Sequence, residues 1–156
     1  MENKEKKKVL EEITKELLEK MGISATTYIS ENAVSEDGAI SIEIQTGESS
    51  YLIGRGGTNL SALQHIIRIL ARKKIGEQMQ FTVDVNGYRD DQRQIIVDKA
   101  QEVIEEVRRR KESIELSPMN SYERRIVHME VSRHNDIESD SIGEGEERRV
   151  VIKPIK

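Results

Sequence analysis

Two sets of residues in this 156-residue chain have the type and spacing to do chemistry. The first is Gly54-Arg55-Gly56-Gly57, a Gly-x-x-Gly interruption between two apolar stretches. Glycine costs a helix roughly 1 kcal/mol relative to alanine, so three in four positions need a reason. A loop without side chains lets a phosphate chain approach the main chain closely. Thr58 then opens a helix, whose N-terminus offers unpaired N–H groups and a partial positive charge. Arg55 adds a full charge at the tip. Ile53, Leu60 and Leu63 beside the loop could floor a groove for bases. The second set is Arg124-x-x-x-His128, one helical turn apart and therefore on one face. Arg125, Arg148, Arg149 and Lys153 are further candidates for phosphate contacts.

Other chemistries fit poorly. The nucleotide-hydrolase loop requires Gly-Lys-Ser/Thr after four residues and is absent. The dinucleotide pattern fails at Asn59, where its last glycine belongs. The chain has no cysteine, which excludes thiolate zinc sites and cysteine nucleophiles. His134, Asn135 and Asp136, with Glu130 one turn earlier, lack the spacing of a metal site. No catalytic triad or carboxylate pair stands out, so neither a metal, a cofactor nor catalysis is expected.

Net charge is −4, yet 49–76 contains no acidic residue and holds Arg55, Arg68, Arg72, Lys73 and Lys74. The expected picture is an uninterrupted cationic strip on an acidic body, a footprint of nucleic-acid binding. Aromatic residues make up only 3% of the chain, which argues against a broad base-stacking platform. No apolar run reaches the roughly 20 residues of a membrane span. The charged N-terminus lacks the apolar block of a signal peptide. A cytoplasmic protein without membrane insertion is expected.

The elements that must position these residues follow from periodicity. Residues 3–21 read as an amphipathic helix with Val9, Ile13, Leu17 and Met21 at spacing four. Two strands follow, joined through Asp37 and Gly38, a hairpin signal. "AISIEIQ" and, after the glycine segment, "MQFTVDV" alternate as half-buried strands do. A strand reached through a helical crossover usually runs parallel to its neighbour. The first part is therefore a three-stranded mixed sheet with helices on one face. From Tyr88 a long helix carries Ile96, Ala100, Val103 and Val107, ending in a basic run whose simplest role is to offset the helix dipole. A short strand ("SIELSP") follows. Next comes a helix capped by Asn120 with Glu123 three positions on, carrying Tyr122, Ile126, Met129 and Val131. A terminal hairpin closes the chain. His65, among Leu63, Ile66 and Ile67, reads as packed. The expected architecture is α+β in two small domains, 1–86 and 87–156.

"YLIGRGGTNLSALQHIIRILARKK", a strand, and "VNGYR" resemble a type II KH domain, and more narrowly the bacterial Jag family, also called SpoIIIJ-associated or KhpB proteins. "PMNSYERRIVH" and "RRVVIKP" resemble the R-three-H domain that follows KH in that family, a small sheet with two helices. The resemblance runs from about residue 3 to the end. It implies non-catalytic binding of single-stranded RNA, or single-stranded DNA, by Ile53, Gly54, Arg55, Gly56, Gly57, Thr58, Leu60, Arg68, Arg72 and Lys73 in the first domain. In the second it implies Arg124, Arg125, His128, Arg148, Arg149 and Lys153. It further implies post-transcriptional regulation linked to cell elongation or division, and pairing with a small KH protein or self-association. Many relatives carry an additional N-terminal domain; this chain begins at the KH unit, so that domain's targeting role is not expected of it. The competing reading is a protein-interaction scaffold associated with a membrane-protein insertase or another KH protein. A nucleotide hydrolase or nuclease is remote.

Overall fold

In the computed structural model, which describes residues 1–30 and 40–156, the chain divides into two compact units, Met1–Arg89 and Asp90–Lys156. The predicted turn at Asp37 and Gly38 lies outside the described residues.

The first unit runs α1 (Asn3–Lys20), β1 (Ala25–Ser30), β2 (Ile40–Thr46), α2 (Ser49–Ile53), a 3-10 turn (Arg55–Gly57), α3 (Thr58–Ile75) and β3 (Phe81–Val85). The sheet order is β1-β2-β3. β1 and β2 pair antiparallel, Thr27 opposite Ile44. β3 joins β2 in parallel, Val83 opposite Ile42, as the helical crossover requires. Ile42, Ile44, Phe81, Val83 and Val85 bury against Leu10, Ile13 and Leu18 of α1 and Leu60, Leu63, Ile67 and Ala71 of α3. Each buried Leu, Ile, Val or Phe among them contributes roughly 1.5–3 kcal/mol. The α1 stripe is rotated from the expected one: Thr14 is buried, its hydroxyl donating to the Leu10 carbonyl at 2.8 Å, and Met21 is exposed. Met21 is the C-cap, just past the last helical turn that meets the sheet.

The second unit contains the rest of α4 (Tyr88–Arg110), which begins in the first unit, then β4 (Ile114–Glu115), α5 (Ser121–Val131), β5 (Ile137–Ile142), a 3-10 turn (Gly145–Glu147) and β6 (Arg149–Pro154). Its sheet has the antiparallel order β4-β6-β5. Ile96, Ala100, Val103, Ile104 and Val107 pack with Ile126, Val127, Val131, Val150 and Ile152. The capping box forms as expected: the Asn120 side chain accepts from the Glu123 amide, and Glu123 accepts from the Asn120 amide, both at 2.9 Å. It fixes where α5 starts, at a typical value of about 1 kcal/mol. Tyr122 and Met129, expected inside, are exposed. α5 is turned so that Val127 and Glu130 face inward, and Glu130 accepts from Gln101 Nε2 at 3.0 Å.

Candidate nucleic-acid interface

The three loop glycines serve three different ends. All have positive φ: +70° at Gly54, +62° at Gly56 and +81° at Gly57. A Cβ on Gly54 would meet Asn59 Cγ at 2.5 Å, and one on Gly57 would meet the Tyr88 ring at 3.2 Å. Among the described residues, a Cβ at Gly56 would meet nothing within 4 Å. Gly54 and Gly57 therefore let the turn close on its supports, while Gly56 and Arg55 stand exposed at its tip. Asn59 braces the turn further, donating from Nδ2 to the Tyr51 carbonyl at 2.9 Å.

The loop amides are not all bare. Gly54 N–H donates to the Ser50 carbonyl at 3.0 Å and Gly57 N–H to the Gly54 carbonyl at 3.4 Å. Thr58 spends both its amide and its hydroxyl on the Arg55 carbonyl. The exposed surface left to a ligand is the Arg55–Gly56 tip. Leu60 does not floor a groove: it is 1% exposed and belongs to the core, as does Leu63, because the α3 stripe that holds the helix on the sheet includes both. Ile53 is half-buried against the same core.

The cationic strip along α3 is interrupted too. At 100° per residue Arg68 and Arg72 lie 40° apart on the flank of Gln64, while Lys73 is a further 100° round, on the side of Ile66. Arg72 and Lys73 are exposed and Arg68 is half-buried. Arg72 lies 14 residues beyond Thr58, about 21 Å along the helix from the loop. His65 is exposed rather than packed, since Leu63 and Ile67 take the inward positions on either side.

The residues after β3, in the "VNGYR" stretch, complete the loop's surroundings, though their types alone do not show that they support the loop. Asn86 (φ +51°) and Gly87 (φ +71°) turn the chain. The Asn86 amide side chain pairs with both the N–H and the C=O of Thr46. The turn sets Tyr88 against Gly57 and brings Arg89 to the free edge of β3. There Arg89 Nε donates to the Val83 carbonyl at 3.0 Å and Nη2 to Gln64 Oε1 at 2.9 Å. Gln64 Oε1 also accepts from the Val83 amide. Asp84 accepts from the Arg89 amide at 3.2 Å. Burial pushes the Asp84 carboxyl above its ordinary range, opposed by its bonds to the Arg89 and Val85 amides.

The second unit forms an open cavity of about 480 Å³ lined by Ser121, Arg124, Arg125, His128, Met129, Ser132, Ser141 and Arg148. Three arginines converge there, and no carboxylate among the described residues lines it. The Met119 peptide links two of them: its N–H donates to the Arg148 carbonyl at 3.1 Å, and its carbonyl accepts from Arg124 Nη1 at 2.7 Å. Arg125 and Arg148 are exposed.

His128 has no spare nitrogen: Nδ1 lies 2.7 Å from Ser139 Oγ and Nε2 2.9 Å from Ser141 Oγ. A neutral ring, donating through one nitrogen and accepting at the other, satisfies both. Burial holds its pKa below the ordinary value; Asp140 pulls the other way, and Arg124 adds to the lowering. Neither nitrogen is left for the nucleic-acid contact that the resemblance implied, and His128 instead pins α5 to β5. Arg149 and Lys153 lie on the face of β6 opposite the buried Val150 and Ile152. Arg149 pairs with Glu147 at 3.0 Å and Lys153 with Asp140. Alternation along the strand separates both from the Arg148 cavity. At the end of α4, Arg108 contacts Asp136 at 2.6 Å, Glu105 at 2.7 Å and His134 Nδ1 at 2.8 Å. Its role there is to tie α4 to the start of β5.

Comparison with known proteins matches each unit to a domain family. The KhpA/KhpB KH-domain family matches residues 7–85, and the R-three-H domain family matches residues 94–154. The chain is 26% identical over 141 residues to the RNA-binding protein KhpB of Clostridium symbiosum, covering 90% of this chain and 63% of that protein. It is 36% identical over 110 residues to the protein of the same name from Bacillus subtilis (strain 168), covering 69% and 53%. To that of Streptococcus pneumoniae serotype 2 it is 28% identical over 136 residues, covering 87% and 40%. The matches thus span 63% or less of the length of these curated relatives. Among the described residues no helix is long and apolar enough to cross a membrane.

Proposed function

We propose, from the premise that this chain belongs to the KhpA/KhpB family of KH-domain proteins and carries an R-three-H domain behind it, that it binds single-stranded RNA non-catalytically through both units. The observation that carries the reading is the exposed Arg55–Gly56 tip, held open at the start of α3 by the Asn59 and Tyr88 supports. The sugar–phosphate chain lies across that tip. Gly54, Gly57 and Thr58 shape the turn, and Arg68 lies one turn beyond Gln64 on the same flank. In the second unit Arg124, Arg125 and Arg148 hold further phosphates in their cavity, with His128 positioning the helix that carries two of them. Two weak contacts on one chain reinforce each other because the second is intramolecular. The division into a KH domain at 1–86 and an R-three-H domain at 87–156 is part of this reading. So is post-transcriptional regulation tied to cell elongation or division as its cellular form.

The test is titration of a short labelled single-stranded RNA at several salt concentrations. Counterion release from a single strand gives a log–log slope of about −0.7 per phosphate neutralised. Engagement of both clusters, some four arginines, predicts a slope near −3. A salt-independent signal, or none, contradicts the reading.

A protein-contact role for α3 is favoured by a separate observation. Ile66, Ile69 and Leu70 are 45%, 53% and 37% exposed, a group of aliphatic side chains that water disfavours. We propose that this face pairs with the KH unit of a second copy of this chain. Ile69→Asp then lowers the molar mass measured by light scattering; an unchanged monomer in both proteins contradicts it.

A further inference from the structure

The outward edge of β3 beside the loop presents no open main chain at its centre. β3 is the edge strand of the sheet, yet the Val83 amide donates to Gln64 Oε1 and the Val83 carbonyl accepts from Arg89 Nε. A base arriving there meets side chains. Arg89 commits the lateral fork of its guanidinium, Nε to Val83 and Nη2 to Gln64. Among the described residues these bonds leave the end-on fork, one N–H on each terminal nitrogen, as a parallel donor pair. Gln64 spends its oxygen twice, which leaves its Nε2 amide as donor only. Both side chains are half-buried, so their orientation is fixed while part of each faces solvent. The Asp84 carboxylate holds the Arg89 main chain. Gln64 lies seven residues after Gly57, about 10 Å along α3 and within 20° of the same face. That is the reach of a nucleotide whose phosphate rests on the loop.

We infer that Gln64 and Arg89 form the base-reading edge of the first unit, and that they select a base with two adjacent acceptors over one without. Guanine offers O6 and N7, and cytosine offers O2 and N3. Adenine interposes its amino group, and uracil places a ring N–H between its two carbonyls. An arginine fork on guanine O6 and N7 is the commonest specific contact of this kind. The inference rests on the RNA reading of the loop and adds to it which residues discriminate.

The experiment uses the full chain and four heptameric RNAs, uridine throughout except for a central guanosine, cytidine, adenosine or uridine, followed by fluorescence anisotropy. The expected result is at least tenfold tighter binding of the guanosine or cytidine RNA than of the other two. Arg89→Lys keeps the charge but replaces the fork by a point donor, and reduces that ratio to within twofold whatever the overall affinity. A second arm leaves the protein intact: 7-deazaguanosine or 3-deazacytidine, each lacking one of the two acceptors, loses the preference with wild type. Equal binding of all four RNAs overturns this inference and leaves the loop reading standing. Binding of none overturns both. A preference that survives Arg89→Lys, or survives the deaza analogue, also overturns it.

Discussion

Reversing the charge at the loop tip gives a quantitative forecast. Arg55→Asp together with Gly56→Asp changes the local charge by three units. Arg55 is exposed, and surface substitutions of this kind cost within about 0.5 kcal/mol. A Cβ on Gly56 meets nothing within 4 Å among the described residues, and aspartate tolerates the φ of +62° better than most residues, at roughly 1–2 kcal/mol. A domain with typical stability of about 5–15 kcal/mol survives that. A charge about 6 Å from a phosphate interacts in water by roughly 0.7 kcal/mol, so three units amount to about 2 kcal/mol. That is about a thirtyfold loss of affinity. The salt slope should flatten by about 0.7 for each phosphate contact given up. Anisotropy titration with single-stranded RNA reads both quantities, with circular dichroism and a thermal melt as the fold control. A folded double variant that binds within twofold of wild type refutes the assignment of the tip.

The glycines should be separable by stability: Gly54→Ala, which drives a methyl into Asn59, costs several kcal/mol in urea melts, while Gly56→Ala costs about 1–2 kcal/mol. Arg125→Ala with Arg148→Ala weakens RNA binding and reduces the salt slope by up to about 1.4, whereas Arg149→Ala with Lys153→Ala leaves both close to wild type. The depressed pKa of His128 means that the unfolded chain takes up its proton first. Its contribution to stability is complete above the unfolded value near 6.5 and is lost as pH falls through the folded value; pH-dependent melts of wild type and His128→Gln should diverge in that direction. Asp136, pushed down to about 2 by Arg108, contributes above its ordinary carboxylate pKa, and that contribution is lost as pH falls towards 2. Asp136→Asn should remove this part of the acid sensitivity, which a melt series from pH 5 to 2 reads.

The mixed sheet and its parallel crossover were legible because alternation at 40, 42 and 44 and at 81, 83 and 85 leaves little choice of face, and the helices between them force the direction, whereas the order of the strands was not. The Asn120 cap was legible because a capping box is local chemistry. Burial on the helices was less so: Met21 and Met129 fit their stripes by spacing, and only the packed sheets show which residue on each turn points inward. The loop was found by its glycines, but its supports were not. Asn59 reads as the failure of another motif until its contact with Gly54 is seen. Gln64 and Arg89 lie 25 positions apart and meet only because β3 ends where it does. Leu60 was expected to face bases because sequence proximity to a loop does not reveal which side of the following helix the core claims. Arg149 and Lys153 share a basic strand with Arg148 in sequence, and the two-residue period sends them to the other face.

The most direct test is an amide NMR titration of the full chain with single-stranded RNA. The Arg55 and Gly56 cross-peaks should shift first and furthest, together with Arg125 and Arg148 in the second unit, while Gly22 and Gly145 stay in place. RNA binding that moves other residues and leaves the Arg55 and Gly56 amides unchanged would contradict the account.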